Sequence, residues 1–286
     1  MMSTPLAIEA IPTQTWLKKH RQSHFAPAFF FLSRERREAL QILYAVCRLL
    51  DDAVDVEKKS PETYLSIWRS VFENKDASPL REFGQAGLGE KFLEMAEQFQ
   101  LPLYAMTELI DKGMSVDLKG NRFQTAMDVE AYCYGVAGTV GLACLPIFGV
   151  PVGEAKEFAV RLGIAVQWTN LLRDVGVDAR AGRIYLPLDH LEQFGYTEKE
   201  LLESTDNSNF QALMTYEWGV AKSHYNRAKE LFPKRWKTEL LPARVMRSIY
   251  ERLLEKLRLK RFPVLEGKIR LNFLEKGLAV MKAVRE

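Results

Sequence analysis

Residues 131–150, Ala-Tyr-Cys-Tyr-Gly-Val-Ala-Gly-Thr-Val-Gly-Leu-Ala-Cys-Leu-Pro-Ile-Phe-Gly-Val, carry no charged side chain. Twenty uncharged residues are long enough to cross a bilayer. Yet four glycines and a late proline interrupt the run, and no Lys/Arg cluster sits immediately beside it. The better reading is a helix buried inside a large helical domain. That reading commits the rest of the chain to supplying the helices that surround it.

The rest of the chain meets that demand. Sustained period-2 alternation is absent, and no Asn-Gly or Asp-Gly hairpin joins alternating runs. Helical periodicity runs through 33–55, 61–73, 88–98, 103–118, 127–148, 153–178, 197–203, 207–231 and 242–260. Ser33 is an N-cap candidate, with Arg36 rather than Glu at N3, and Pro61-Glu62 makes a good first turn. Breaks fall at Pro79, Gly87, Pro102, Gly120, Pro151, Gly182, Pro187, Pro233 and Pro263. With no Ser/Gly-rich linker and no repeat of 20–50 residues, the expectation is one all-α domain over 1–286 with about ten helices.

Composition removes several function classes. Hydrophobic residues at 47% and charged residues at 27% describe an ordinary folded chain, not a disordered, collagen-like or disulfide-stapled one. A net charge of +3, with no basic stripe of interleaved aromatics, argues against nucleic acid as a partner. Three cysteines with no Cys-x-x-Cys pair suit a reducing, cytoplasmic compartment. The N-terminus has no basic region followed by an apolar core, so no signal peptide is expected.

Two segments carry metal-competent chemistry. In Tyr44-Ala-Val-Cys-Arg48-Leu-Leu-Asp51-Asp52-Ala-Val-Asp55, helical spacing puts Tyr44, Arg48, Asp51 or Asp52, and Asp55 on one polar ridge among apolar neighbours. Carboxylates this close repel one another, and burial adds a desolvation penalty. A hard cation such as Mg²⁺ relieves both, held by one or two carboxylates and substrate phosphates. In Gln167-Trp-Thr-Asn170-Leu-Leu-Arg173-Asp174-Val-Gly-Val-Asp178, Asn170, Asp174 and Asp178 recur every four residues, and Gln167 joins the stripe. Two such helices, about 120 residues apart, suggest acidic faces across a cavity that hold Mg²⁺ and, through it, a diphosphate. A di-iron bundle would need Glu-x-x-His on two helices. None of the four histidines has a Glu three residues before it.

The uncharged helix places Tyr132, Val136 and Val140 on one face. Gly135, Gly138 and Gly141 thin it, either for close packing or as the wall of a long apolar tunnel. Near the start lie Lys18, Lys19, His20, Arg21, His24 and Phe25, then Phe29-Phe30-Phe31. The basic residues could neutralise a diphosphate, and the phenylalanines could floor a tunnel. Near the C-terminus, Arg244, Arg247, Arg252, Lys256, Arg258, Lys260 and Arg261 punctuate a helix containing Tyr250. The expectation there is a solvated basic face, with a membrane surface as the alternative.

With these blocks in order, and Gly-Arg-Ile-Tyr-Leu-Pro following at 182–187, residues 20–265 strongly resemble the squalene/phytoene synthase family. The resemblance implies a single-domain isoprenoid synthase fold with a central cavity between two Asp-rich helices. It implies Mg²⁺-dependent head-to-head joining of two prenyl diphosphates, with two or three ions on Asp51, Asp55, Asn170, Asp174 and Asp178. It assigns Tyr44, Arg48, Gln167, Arg173 and Tyr250 to diphosphate or to ordering its ligands. Tyr132, Val136 and Val140 would lie beside the reacting carbons, with Tyr132 assisting proton loss or stabilising charge. Many relatives read Ser-x-Ser-Phe where this chain has Ser23-His24-Phe25, so His24 replaces a small hydroxyl residue that usually touches diphosphate.

The bulk of Phe29–Phe31 favours two farnesyl diphosphates, giving presqualene diphosphate, squalene or dehydrosqualene. Two geranylgeranyl diphosphates giving phytoene are the alternative. NADPH is possible but not indicated. Greasy products suggest peripheral membrane contact. A single-substrate terpene cyclase fits the Tyr132–Gly141 block poorly, and a catalytically dead assembly factor should have lost one acidic set, whereas both are present.

Overall fold

The computed structural model describes residues 30–55, 60–120 and 122–286, with the Asp55 side chain outside the described set. Arg21, His24, Phe25 and Phe29 also lie outside it. Among the described residues there is no strand.

The helices are α1 (Arg34–Asp55), α2 (Pro61–Asn74), α3 (Ala86–Gln98), α4 (Leu103–Leu109) and α5 (Ser115–Leu118), then α6 (Ala126–Cys133), α7 (Thr139–Phe148) and α8 (Val152–Arg180). Next come α9 (Leu188–Gln193), α10 (Glu198–Leu202), α11 (Ser208–Glu230), α12 (Leu241–Leu259) and α13 (Phe273–Arg285). The all-α expectation holds. The sequence reading missed α9 and α13.

Local chemistry sets the ends. The Arg36 amide donates to the Ser33 hydroxyl at 3.3 Å, capping α1. Reciprocal capping boxes open α6 (Thr125 with Asp128) and α13 (Asn272 with Glu275). Gly149, at φ +86°, ends α7, and the Arg36 guanidinium donates to the Phe148 carbonyl there at 2.6 Å.

The uncharged run is a core helix. It forms the end of α6, a π-helical turn at Tyr134–Gly138, and α7. A second π turn, Ile110–Met114, links α4 to α5, and the two π turns pack on each other. Glycine makes that contact possible: a Cβ on Gly135 would collide with the Lys112 carbonyl. α8 then seats against α7, where a Cβ on Gly163 would lie 2.5 Å from the Ala137 oxygen and one on Gly141 2.8 Å from the Ala159 oxygen. Close packing is therefore one role of these glycines. α8 itself is buried along most of its length, through Phe158, Leu162, Ile164, Trp168 and Leu172, and packs against α7, α11 and α12.

The expectation of a solvated basic face on α12 needs correction. Arg244 and Arg247 are buried. Arg244 donates to the Ala283 carbonyl at 2.5 Å, and Arg247 pairs with Glu286, so both tie down the end of α13. A carbonyl left unpaired at the helix C-terminus serves Arg244, and the Glu286 carboxylate serves Arg247.

Candidate active site

A cavity of about 420 Å³ lies between α1, the α6–α7 helix, α8 and the start of α12. Its two ends differ in chemistry. At one end α1 contributes Tyr44, Arg48 and Asp51, α8 contributes Gln167 and Asn170, and Asp117 and Tyr132 complete the wall. At the other end the walls are Leu145, Phe148, Phe158, Leu162, Pro242 and Met246. Val136, Val140 and Gly141 lie along the lining. The uncharged helix is thus a cavity wall as well as a packing surface.

The floor differs from the sequence expectation. Phe30 is exposed and Phe31 partly so, and neither lines the cavity. Phe148 and Phe158 line the apolar end instead. Both lie in helices built for burial, whereas Phe30 and Phe31 precede α1.

On α1 one arginine serves two carboxylates of the acidic ridge. Arg48 reaches Asp51 at 2.5 Å and Asp52 at 2.7 Å, one turn away. The second ridge is stacked as its spacing predicts but does not face the cavity uniformly. Gln167 and Asn170 line the space, while Asp174 and Asp178 do not. Asp174 takes a two-pronged bond from Arg173, at 2.8 and 2.6 Å, and Lys268 approaches at 3.2 Å. Burial pushes the Asp174 carboxyl up, but Arg173 and Lys268 outweigh it and hold the group below the usual carboxylate range. Asp178 goes the other way. Burial and the neighbouring Asp174 charge push it up to about 6, against the pull of Arg183 and Lys268. Tyr250 is buried beside Arg173 and Asn170; burial raises its hydroxyl pKa, against the Arg173 charge and the Asn170 hydrogen bond.

Sequence reasoning missed three residues. Asp117 accepts from Tyr132 at 3.2 Å and from Tyr185 at 3.0 Å. Tyr132 and Tyr185 stack at 5.3 Å, with Phe123 against both. Burial and the Asp117 charge raise the Tyr132 hydroxyl pKa well above its ordinary value, so it stays protonated. Tyr185 sits in the Gly-Arg-Ile-Tyr-Leu-Pro block, a signal that was present. Asp117 is a lone acid on a short helix, and Lys268 lies between α12 and α13; neither has a local pattern.

Asn170, Asp51, Asp174 and Asp178 offer hard oxygen donors of the kind Mg²⁺ prefers. One observation fits an arriving cation: Asn170 Oδ1 is buried and unpartnered, while its Nδ2 donates to Gln167 at 3.3 Å. Among the described residues no three acidic, His or Cys side chains already form a metal-binding group.

The family model for squalene/phytoene synthase matches residues 18–275. The phytoene synthase of Thermus thermophilus is 34% identical over 268 residues, covering 93% of this chain and 89% of its own. The 15-cis-phytoene synthase of Synechocystis sp. is 34% identical over 209 residues, covering 68% of this chain. The match takes in 60% of that cyanobacterial relative and 66% of the Arthrospira platensis phytoene synthase. The 4,4'-diapophytoene synthase of Staphylococcus haemolyticus is 34% identical over 73% of this chain and 74% of its own. A crystal structure of a dehydrosqualene synthase superposes with a TM-score of 0.81 over 96% of this chain and 98% of that one, at 23% identity. The chain belongs to the squalene/phytoene synthase family and has its isoprenoid synthase fold.

Proposed function

We propose that this protein is a prenyltransferase that joins two geranylgeranyl diphosphates head to head to give the forty-carbon phytoene. One observation carries the reaction class: one cavity joins a polar end, with Arg48, Asp51, Gln167 and Asn170, to an apolar end. That is the shape of a long prenyl chain with a diphosphate head. The chain length rests on the relatives named phytoene synthase, from cyanobacteria and Thermus. The fifteen-carbon expectation leaned on Phe29–Phe31. Phe30 and Phe31 do not line the cavity, and Phe29 lies outside the described residues, so no described residue of that block supports it. A farnesyl substrate remains the second reading because of the diapophytoene synthase relative.

Bond changes follow from the two-ended cavity. Diphosphate leaves the first chain, and Arg48 at the polar end is placed to meet its charge. When bound, Mg²⁺ would sit with Asp51, Asn170, Asp174 and Asp178 and neutralise the diphosphate. The allylic cation forms among apolar walls, where water cannot capture it. The double bond of the second chain attacks, and loss of one proton closes a cyclopropane. A second diphosphate leaves, the carbon skeleton rearranges, and a second proton departs. Two diphosphates and two protons balance phytoene, so this route is redox-neutral and needs no NADPH. Tyr132 lines the cavity with its O–H turned to Asp117, which leaves an oxygen lone pair to stabilise positive charge or help proton loss.

The test is product analysis of the purified chain with Mg²⁺ and either geranylgeranyl or farnesyl diphosphate, with and without NADPH, read by mass spectrometry. The expected result is a forty-carbon hydrocarbon with a central conjugated triene from the longer substrate, unaffected by NADPH. A thirty-carbon product from farnesyl diphosphate alone overturns the chain length. No coupled product from either overturns the reaction.

A further inference from the structure

α13 is amphipathic in an inverted sense. Its inward face is small, with Ala279 and Ala283 buried against α12. Its outward face carries Leu274, Leu278 and Met281 at helical spacing, flanked by Phe273 and Val284. Phe273 is 88% exposed and Leu274 74%, with the other three near half. Leu259, 72% exposed, ends α12 one turn beyond Lys256, which reaches the Arg270 carbonyl and Glu275 beside the start of α13. No other stretch of the described chain concentrates this much exposed apolar side chain on one helix.

The charge around the face selects its occupant. Residues 256–286 hold nine Lys/Arg against three Glu, a net +6 where the whole chain has +3. Arg258, Lys260, Arg261, Lys268, Lys282 and Arg285 are exposed. A second copy would bring two such fringes together and repel. The patch is also small for a stable protein interface, which takes roughly 20–30 residues a side. A negatively charged bilayer surface matches both features, with apolar side chains entering the acyl boundary and cations meeting lipid phosphates.

We propose that the outer face of α13, with the basic fringe contributed by the end of α12 and the 260–272 segment, docks the protein on anionic membrane surfaces. The inference concerns binding alone and does not depend on which prenyl substrate is used. Flotation of the full chain with phosphatidylcholine vesicles, and with the same vesicles containing phosphatidylglycerol, tests it. The wild type should float with the anionic vesicles and lose that binding as NaCl is raised. The triple variant Phe273→Ser/Leu274→Ser/Leu278→Ser should lower the partition coefficient at least about 100-fold. Met127→Ser, on an exposed side chain of α6, should leave it unchanged.

All three serines replace outward side chains, so thermal unfolding should stay close to wild type. Should the triple variant fail to fold, Lys282→Glu/Arg285→Glu gives an independent reading: loss of anionic-vesicle binding supports the proposal, and unchanged binding overturns it. Equal flotation of a folded triple variant and wild type overturns the proposal, as does a wild type that floats with neither vesicle. A dimer seen by light scattering without lipid, and split by the triple variant, overturns it in favour of a second copy.

Discussion

The two acidic ridges look alike in sequence and differ in their surroundings. On α1, Arg48 and Asp51 are each 42% exposed, and the pair is joined within one helix. On α8, Arg173 and Asp174 are 16% and 15% exposed, and Lys268 and Tyr250 close in from other elements. An exposed pair contributes little and is easily broken, whereas a buried one is strongly felt when only one partner is removed. The first ridge can therefore release its arginine to a ligand at small expense to the fold. The second is part of the fold, so its charges are held ready before any ligand arrives.

The largest expected effect follows from removing one carboxylate from each ridge. Asp174→Ala leaves Arg173 and Lys268 without their shared anion and should destabilise the protein by about 3 kcal/mol. Asp51→Ala should cost under about 1 kcal/mol of stability. Both should lower turnover, each by roughly 10²–10³-fold, because each removes a carboxylate that would hold Mg²⁺ against the diphosphate. Urea unfolding and product formation, measured on the same samples, check the contrast. Equal loss of stability from both variants would break it.

Asp117 sharpens the comparison, because two phenols, Tyr132 and Tyr185, donate to it. Asp117→Ala and Tyr132→Phe should each lower turnover by about 10–100-fold. The double variant should be little worse than either single one, since both break the same hydrogen bond. Additive losses in a double-mutant cycle would show that the two residues act separately.

What could be read in advance was periodicity, and what could not was company. The stacking of Gln167, Asn170, Asp174 and Asp178 follows from spacing within one helix. That Asp174 turns to Lys268 does not, because the two are 94 residues apart and Lys268 sits in a segment with no repeating pattern. The same limit explains Phe30 and Phe31, where three aromatic rings implied burial without saying against what. Arg244 and Arg247 repeat the lesson in reverse, since their partners are the end of a helix the periodicity scan did not find. α13 did carry a start signal, Asn272 with Glu275, but its apolar positions face outward and so did not look like a core helix.

Within the second ridge, neighbouring carboxylates should respond oppositely to pH. The Asp178 pKa, raised from 3.8 to about 6, means the folded protein binds a proton that the unfolded chain has lost. Its stabilising contribution is full below 3.8 and is lost as pH rises through about 6. Asp174 is depressed, so its contribution is present above 3.8 and is lost as pH falls through its lower folded value. In metal-free buffer at pH 7, Asp178→Asn should therefore raise stability, on the order of 2 kcal/mol, and with Mg²⁺ present it should lower turnover. Thermal melts from pH 4 to pH 8 should show the wild type losing stability relative to the variant between those limits. Parallel curves would mean that Asp178 carries no penalty.

The smallest effect probes Lys268, a cation that reaches the second ridge from outside both acidic helices. Lys268 is 37% exposed, and Asp174 keeps its two-pronged bond to Arg173 when the lysine is removed. Lys268→Ala should therefore change stability by under about 1 kcal/mol. Its effect on catalysis depends on where the ammonium goes when substrate binds. If a cation and diphosphate take over Asp174, Lys268 is freed beside the phosphate oxygens, and its loss should raise KM a few-fold with kcat nearly unchanged. If it stays on Asp174 throughout, KM should not move. Lys268→Arg separates charge from shape, because it keeps the charge and adds a fork suited to phosphate. Restoration of KM by arginine would assign Lys268 to diphosphate. A KM that neither variant alters would confine it to neutralising Asp174, and the ridge on α8 would then rely on Arg173 alone for ligand-linked rearrangement.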